Sequence, residues 1–328
     1  MLNDFCIMIF GSFLIGVVLV LVLMKLSRKY KFLIPKGMPL VGGIAFGVSF
    51  LASSLLFFFF HQFLPENIKG LLLSSSIILV AGIIDDIHEL SVLFKFSFQI
   101  LATILIVMFG VRTYIVGIGG TLNLIITFIW IIGITNAFNH LDVVDGLCAG
   151  TALVVSLAFC AIALLNGDLL NAALTLALCG AVISFLRYNL PPARVYMGNA
   201  GSHFLGFVIA AIALLISYAP MERKAALLSP IFILWLPIFD TSFLVFMRIA
   251  KKILPFRKSN DHLAFRFLAL GYSGKKALFA MFVLCLFFAL CGVLISQMPN
   301  LSGMIIVFLV ALVSFALIIR MSKVIVKG

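Results

Sequence analysis

The acidic residues of this 328-residue sequence are concentrated at the ends of strongly hydrophobic segments. Two pairs, Asp85 with Asp86 and Asp142 with Asp145, stand where apolar runs stop, and Asp240 follows a proline inside another run. A carboxylate at the edge of a membrane costs several kcal/mol unless it is paired, hydrated or bound to a cation. The pattern therefore indicates a membrane enzyme or a transporter.

The segment N-A-F-N-H-L-D-V-V-D-G-L has the most informative spacing, because Asn136, Asn139, Asp142 and Asp145 follow at intervals of three. Residues three apart share one face of a helix, so these oxygen atoms stack if the turn persists. Carboxylate and amide oxygens suit a hard cation such as Mg²⁺, which also takes substrate phosphate. We interpret His140 in this segment as capping the loop rather than as a ligand.

The adjacent carboxylates of Asp85 and Asp86 repel each other, which raises the pKa of one unless a cation is near. The pair could act as a general base or hold a metal, or it could be a harmless feature of a solvated loop. Lys95 and Gln99 are four residues apart, so they share a face of the next helix. That face could point back at the carboxylates.

Three further polar loops contain candidate binding residues. Gly198 opens a hydrophobic segment, where the free N–H groups and positive end of a helix favour an anion such as phosphate. Tyr196 could stack on a base, although a glycine-rich helix start with an interfacial tyrosine is common. The pair Gly42 and Gly43 allows close helix approach. The basic loop at about 248–274 is typical of a membrane flank, and it could equally bind a diphosphate.

These loops are separated by about eleven apolar segments, each approaching the length needed to span a bilayer as a helix. With 64% hydrophobic residues and no long polar stretch, the sequence predicts one all-α transmembrane domain over residues 1–328. The predicted segments are about 5–24, 39–60, 70–85, 92–109, 121–138, 146–165, 168–186, 203–219, 225–247, 277–296 and 302–321.

The basic residues predict the orientation of this bundle. If the N-terminus lies outside, only Lys69, Arg112, Arg223 and Lys224 of the 23 Lys and Arg residues fall outside the cytoplasmic loops and tail. The excess of inside charge follows the positive-inside rule. The net charge of +12 is thus interpreted as orientation and attraction to lipid headgroups, not as a nucleic-acid footprint. The cytoplasmic loops are predicted at about 25–38, 85–95, 138–146, 187–202 and 248–276.

Taken in order, these loops resemble the polyprenyl-phosphate N-acetylhexosamine-1-phosphate transferase family. The matching stretches, over about residues 35–275, are P-L-V-G-G, D-D-I-H-E-L-S, N-A-F-N-H-L-D-V-V-D-G-L, Y-M-G-N-A-G-S-H-F-L-G and P-I-F-D-T. The resemblance implies that a polyprenyl phosphate attacks the β-phosphate of a UDP-N-acetylhexosamine, with Mg²⁺ or Mn²⁺, giving polyprenyl diphosphate-sugar and UMP. It also implies a cytoplasmic-membrane enzyme in a cell-surface glycan pathway, with no nucleic-acid partner and with a homodimer left open.

The resemblance also implies residue roles. Asp85 and Asp86 would receive the lipid phosphate and remove its proton, and Asp142 would act beside the reacting diphosphate. The implied metal-binding residues are Asn139, Asp142 and Asn199. The implied substrate-binding residues are Lys95, Asn136, Asp145, Tyr196, Gly198, His262 and Arg266.

Two departures from the family pattern leave alternatives. Asn199 stands where the family usually has a metal-binding aspartate, and an amide oxygen brings no negative charge. Ala264 and Phe265 stand where histidines often occur. A catalytically silent homologue that binds lipid phosphate or nucleotide is therefore a second hypothesis. The muramoyl-pentapeptide branch of the family, which has ten helices, is a third, and a transporter ranks last because no repeated halves are visible.

Overall fold

A computed structural model, which describes residues 2–218, 222–252, 254 and 260–326, contains α-helices joined by short turns. The helices are α1 (Leu2–Tyr30), α2 (Gly42–Phe60), α3 (Glu66–Ile87), α4 (Val92–Met108), α5 (Gly119–Leu141), α6 (Leu147–Leu165), α7 (Leu169–Asn189), α8 (Gly198–Leu215), α9 (Ser229–Ile233), α10 (Trp235–Ala250), α11 (Leu263–Ala269), α12 (Gly274–Gln297) and α13 (Asn300–Ser322). Short 3₁₀ turns, Pro35–Gly37 and Lys224–Leu228, precede α2 and α9.

Nine helices in the described part of the chain are long and apolar enough to cross a membrane. The stretch Lys224–Ile233 and α10 together form one further candidate span, bent by 70° at the break between them. Helix α4 is apolar but shorter. The prediction of an all-helical, multi-pass membrane protein is confirmed, and each of the eleven predicted segments lies on one of these helices or on the bent pair. The count of eleven spans remains a prediction.

Helix α8 lies at the centre of the bundle, where it packs against α2, α3 and α5. Glycines allow this close approach, because a Cβ atom on Gly43 would overlap the backbone of Gly201, and one on Gly82 would overlap that of Ala200. The predicted close approach at the Gly42–Gly43 pair is confirmed by the backbone of Gly43, whose N–H donates to the Met197 carbonyl at 3.1 Å.

The helix ends, and the loops that join them, lie at two opposite ends of the bundle. Helices α3 and α5 finish at the end where α8 begins, since Asp86 and Asn139 both contact Asn199. At the other end, the Asn166 side chain after α6 donates to the carbonyls of Ser217 and Tyr218 after α8. The polar motifs therefore share one end, as the alternation of loops predicts. Which side of a membrane that end faces remains a prediction, and Lys327 of the basic tail lies outside the described residues.

Candidate active site

The polar ends of α3, α5 and α8 meet in one cluster. The Asn199 side chain accepts a hydrogen bond from Asn139 Nδ2 at 3.0 Å, and the same Nδ2 donates to Ser202 Oγ at 2.9 Å. The backbone N–H of Asn199 donates to Asp86 at 2.8 Å. Residues more than 100 positions apart in sequence therefore form one surface, and three of the predicted site residues (Asp86, Asn139 and Asn199) lie within it.

The Asp86 carboxylate fills the N-terminus of α8. Its two oxygens accept hydrogen bonds from the N–H groups of Asn199 and Ala200, at 2.8 and 3.0 Å. Gly198 has a φ of +71°, and a side chain there would overlap Asp86. The expectation of free N–H groups for a phosphate at this helix start is wrong, because a protein carboxylate occupies the positive end. Direct substrate contact by Gly198 remains a prediction.

The neighbouring carboxylate, Asp85, is buried and forms an ion pair with Lys95 Nζ at 2.8 Å. It also accepts a hydrogen bond from the Leu90 N–H at 2.8 Å. The expectation that the Lys95 face of α4 points back at the acidic pair is confirmed. Since both Asp85 and Asp86 are engaged within the protein, this arrangement favours positioning over the general-base role that the resemblance implied.

Asn136 is paired with Gln99 of α4 rather than directed at a ligand. Its Nδ2 donates to Gln99 Oε1 and to the Ile132 carbonyl, both at 2.8 Å, and Gln99 Nε2 donates back to Asn136 Oδ1 at 3.4 Å. Both amide hydrogens of Asn136 are thus used inside the bundle. Asn136 therefore links α5 to α4 by hydrogen bonds, and its assignment to substrate binding is corrected.

Asp142, directly after α5, is the available carboxylate of the cluster. Its side chain is exposed and makes no hydrogen bond or ion pair within the described part of the chain. Water reaches this group, but the surrounding helices displace much of the solvent around it. This desolvation, followed by the charges of Asp86 and Asp145, raises the pKa of Asp142 to about 7. An unpartnered carboxylate facing two like charges is a suitable ligand for a cation.

The oxygen donors around Asp142 fit Mg²⁺ better than a softer metal. No group of three His, Cys, Asp or Glu side chains suited to a metal occurs among the described residues. The candidate set is instead one free carboxylate with the amides of Asn139 and Asn199. A site with one or two carboxylates that leaves positions for water and phosphate is the usual arrangement for Mg²⁺. The residues present therefore fit the predicted ion, with less negative charge than an aspartate at position 199 would give.

The loop before α8 is fixed by two other loops. The Tyr196 N–H donates to the Pro39 carbonyl at 2.9 Å, and the Tyr196 carbonyl accepts from the Gly42 N–H at 2.9 Å. Asp145 Oδ2 accepts from the Ala193 N–H at 3.1 Å. These bonds join Asp145 to the loop that contains Tyr196, which is compatible with a shared nucleoside site. Their binding roles remain predictions.

Asn189, at the end of α7, is a site-supporting residue that sequence reasoning missed. Its Oδ1 accepts from the Gly146 N–H and its Nδ2 donates to the Val195 carbonyl, both at 3.0 Å. It therefore joins the loop after Asp145 to the loop before Tyr196. A buried asparagine at the end of an apolar helix was the available signal, because such an amide requires partners.

His262, directly before α11, is held by Asp240 of α10. His262 Nδ1 is 2.8 Å from Asp240 Oδ2, so Asp240 orients the ring, and Nε2 makes no hydrogen bond among the described residues. His140 lies within electrostatic range of both His262 and Asp240, which brings loop five beside α5. The Nδ1 atom of His140 is buried without a hydrogen bond in the described structure, so the expected cap is not formed through it. Arg257 and Lys258 lie outside the described residues.

Arg266 is a structural residue rather than a substrate ligand. Its side chain is 1% exposed, and Nη2 donates to Asp261 Oδ1 at 2.8 Å. Its Nη1 donates to the carbonyls of Met321 and Val324 at the end of α13. The predicted role of Arg266 in substrate binding is therefore wrong, because its donors are committed to the protein.

One further cavity of the bundle is a largely apolar groove. It has a volume of about 390 Å³ and lies between α5 and the bent span, with Ile126, Ile129 and Trp130 on one wall and Ile231 and Ile238 on the other. Ala137 also lines the groove, only two residues before Asn139. The groove lining on α10 includes Thr241, the residue after Asp240.

Comparison with known proteins gives consistent similarities. The sequence profile of glycosyl transferase family 4 matches residues 68–217. A probable undecaprenyl-phosphate N-acetylglucosaminyl 1-phosphate transferase of Bacillus subtilis is 30% identical over 282 residues, covering 84% of this chain and 78% of the relative. A decaprenyl-phosphate N-acetylglucosaminephosphotransferase of Mycobacterium tuberculosis is 30% identical, covering 75% and 69%. An undecaprenyl-phosphate alpha-N-acetylglucosaminyl 1-phosphate transferase of Escherichia coli is 26% identical, covering 78% and 72%.

Proposed function

The chain belongs to glycosyl transferase family 4, and from this we propose that it transfers N-acetylglucosamine 1-phosphate from UDP-N-acetylglucosamine to a polyprenyl phosphate. The resemblance in the five loop motifs is thereby confirmed at the level of the family. The relatives from three genera carry names for N-acetylglucosamine 1-phosphate transfer to a polyprenyl phosphate, which supports this donor sugar over the muramoyl-pentapeptide alternative.

The observation that carries the proposal is the polar cluster of Asp86, Asn139 and Asn199 at one end of a bundle of helices long and apolar enough to cross a membrane. One substrate has a long isoprenoid tail and the other is a water-soluble nucleotide, so their phosphates can meet only at a membrane edge. The groove lining is apolar along α5, and the oxygen donors of Asn139 and Asp142 begin two residues beyond it. We therefore propose that the lipid chain lies in the groove with its phosphate at the cluster.

The reaction forms one bond and breaks one. An oxygen of the polyprenyl phosphate attacks the β-phosphorus of UDP-N-acetylglucosamine, and the bond from that phosphorus to the bridging oxygen breaks. UMP leaves with the bridging oxygen, and the products are UMP and polyprenyl diphosphate-N-acetylglucosamine. A phosphate monoester has a second pKa near 6, so the attacking group is mostly dianionic at neutral pH and needs no strong base. This agrees with the engaged state of Asp85 and Asp86.

The main task of the protein is therefore to align anions. Asp142, with Asn139 and Asn199, would hold Mg²⁺, which when bound neutralises charge between the two phosphates. Lys95 supplies a fixed positive charge, held by Asp85. His262, oriented by Asp240, would donate from Nε2 to a phosphate or sugar oxygen when protonated. Tyr196 and Asp145 would hold the nucleoside.

We further propose that the site lies on the cytoplasmic face of the cell membrane, with the N-terminus outside. The support is the distribution of Lys and Arg, which favours the motif-bearing end as the inner one. A homodimer remains a prediction from the resemblance.

Donor choice tests the proposed function. Purified protein in detergent is supplied with undecaprenyl phosphate, Mg²⁺ and either UDP-N-acetylglucosamine or UDP-N-acetylmuramoyl-pentapeptide, and UMP release is measured. The proposal expects release with the first donor. Release with the second donor alone would establish the muramoyl alternative, and release with neither would support the silent homologue.

Replacing Asn199 by Asp is expected to lower the Mg²⁺ concentration needed for half-maximal transfer by about tenfold. A carboxylate at this position can still accept the hydrogen bond from Asn139, at 3.0 Å in the unmodified protein, and it adds a charge to the metal site. The measurement is a Mg²⁺ titration of the initial rate.

Asn199→Ala is the matched control for this titration, because it removes the oxygen donor and should weaken the response to Mg²⁺. Without the ion, the added carboxylate faces Asp86 and Asp142, so the melting temperature of Asn199→Asp in a chelator should fall and recover with Mg²⁺. An unchanged Mg²⁺ dependence in both variants would remove position 199 from the metal site.

A further inference from the structure

Helix α13 is the least buried of the candidate spans. Only 11% of its most apolar stretch is buried, compared with 78% for α8. Packing between apolar helices in lipid depends on close contact, so an exposed helix gains little positional restraint from it. Polar bonds are therefore the main features that can fix α13 in place.

Two residues of α13 are bonded to the bent span. Asn300 Oδ1 accepts from the Ala225 N–H at 3.1 Å, in the 3₁₀ turn that begins the span. Further along, Ser314 Oγ accepts from Trp235 Nε1 at 2.8 Å. Trp235 is the first residue after the 70° bend, and its ring stacks on Phe288 of α12 with ring centroids 3.6 Å apart.

The far end of α13 is bonded to the helix that follows the bent span. Arg266 of α11 donates to the carbonyl of Met321 at 2.6 Å and to that of Val324. The guanidinium also lies over the Phe243 ring of α10, 4.8 Å from its centroid. One arginine thus joins α10, α11 and the end of α13, and the donation to helix C-terminal carbonyls is favourable for a cation.

The elements held by α13 are those that shape the proposed site. Ile231 lies before the bend and Ile238 after it, and both line the apolar groove. Asp240 and His262 follow on α10 and at the start of α11. A change in the bend angle would therefore alter the groove width and the position of the His262 ring together. The family profile ends at residue 217, so all of these contacts lie beyond the matched region.

We propose that α13 is a brace that fixes the bend, and that Trp235, Ser314 and Arg266 are positioning residues for the transfer reaction. They set the width of the lipid groove and the place of His262 without touching substrate. This inference rests on the proposed function for its kinetic consequences, and the contact between α13 and the bend can be tested independently of activity.

The kinetic test removes the bond at the bend. Trp235→Phe keeps an aromatic ring for stacking but loses the N–H donor, and Ser314→Ala loses the acceptor. Each variant should raise the KM for undecaprenyl phosphate by about fivefold, because the fold-change corresponds to the net free energy of one neutral hydrogen bond. The KM for UDP-N-acetylglucosamine and the kcat should change by less than about twofold. The double variant should match the singles, because both remove the same bond.

Two controls separate a positioning effect from a general loss of stability or activity. Ser322→Ala removes a hydroxyl that donates to the Ile319 carbonyl within α13, so its kinetics should match those of the unmodified protein. An acceptor with only two isoprene units should lose little from the Trp235 and Ser314 changes, because its tail is too short to depend on the full groove. An unchanged KM for undecaprenyl phosphate, or an equal loss of kcat with both acceptors, would overturn the proposal.

Fluorescence tests the contact without any turnover. The protein has two tryptophans, so in a Trp130→Phe background Trp235 is the sole emitter. Ser314→Ala in that background should shift the emission to shorter wavelength, because the indole N–H loses its polar partner, and Ser322→Ala should not. The absence of a shift would overturn the proposal that Ser314 of α13 holds Trp235. If the unmodified protein transfers no sugar phosphate, the proposed function fails while the emission shift still decides this contact.

Discussion

Replacing Asp142 by Asn is expected to lower the rate of transfer by about 100-fold to 1,000-fold, the loss typical of removing a group that stabilises transition-state charge. The change keeps the shape of the side chain and removes its charge. Because Asp142 has no hydrogen bond or ion pair among the described residues, the loss would come from the missing ligand to the cation. The measurement is the initial rate of UMP release at saturating Mg²⁺.

Stability distinguishes this loss of function from misfolding. The pKa of Asp142 is raised to about 7 by desolvation and by Asp86 and Asp145, so its charged form is disfavoured in the folded protein. Removing that charge should leave the melting temperature in a chelator unchanged or higher at pH 8. Asp168→Asn is the matched control, because Asp168 caps α7 at the opposite end and asparagine caps equally well. Normal turnover by Asp142→Asn would exclude the carboxylate from the metal site.

Replacing Asp86 by Ala is expected to lower transfer by about 10-fold to 100-fold and to destabilise the protein by about 1–2 kcal/mol. The variant loses the bonds from the Asn199 and Ala200 N–H groups, which hold the start of α8 against α3. Asn199 would then move relative to Asn139. The measurements are the initial rate and the melting temperature in detergent.

Asp86→Asn separates positioning from proton transfer. An amide oxygen can still accept one of the two backbone bonds, so a positioning role predicts activity well above that of the alanine variant. The shape of the pH–rate profile should also be unchanged. If Asp86 were the general base, both variants would be equally inactive at an unchanged melting temperature, and that result would contradict the role assigned here.

The sequence predicted the membrane bundle and much of the site because both depend on simple patterns. Apolar run length located each candidate span, and the alternation of loops placed Asp86, Asn139 and Asn199 at one end. The interval of three from Asn139 to Asp142 identified the end of α5 as a source of oxygen ligands. These inferences needed no knowledge of which helices are neighbours.

The errors arose where a role depends on a partner distant in sequence. The Arg266 guanidinium meets carbonyls more than 50 residues away, and the Asp86 carboxylate meets N–H groups more than 110 residues away. Asn136 and Gln99 are polar residues of the kind that bind substrates, and only their juxtaposition shows that they bind each other. Helix packing decides these pairings, and no local periodicity encodes it.

Tracing the β-phosphate tests the central claim most directly. UDP-N-acetylglucosamine labelled with ³²P at the β-phosphate is incubated with the protein, undecaprenyl phosphate and Mg²⁺, and lipid and aqueous fractions are separated. The label is expected to enter the lipid fraction in equal amount to the UMP released, and Asp142→Asn is expected to lower both by about 100-fold to 1,000-fold. Label that remains in aqueous UDP while sugar enters the lipid, or a lipid fraction with no label, would contradict it.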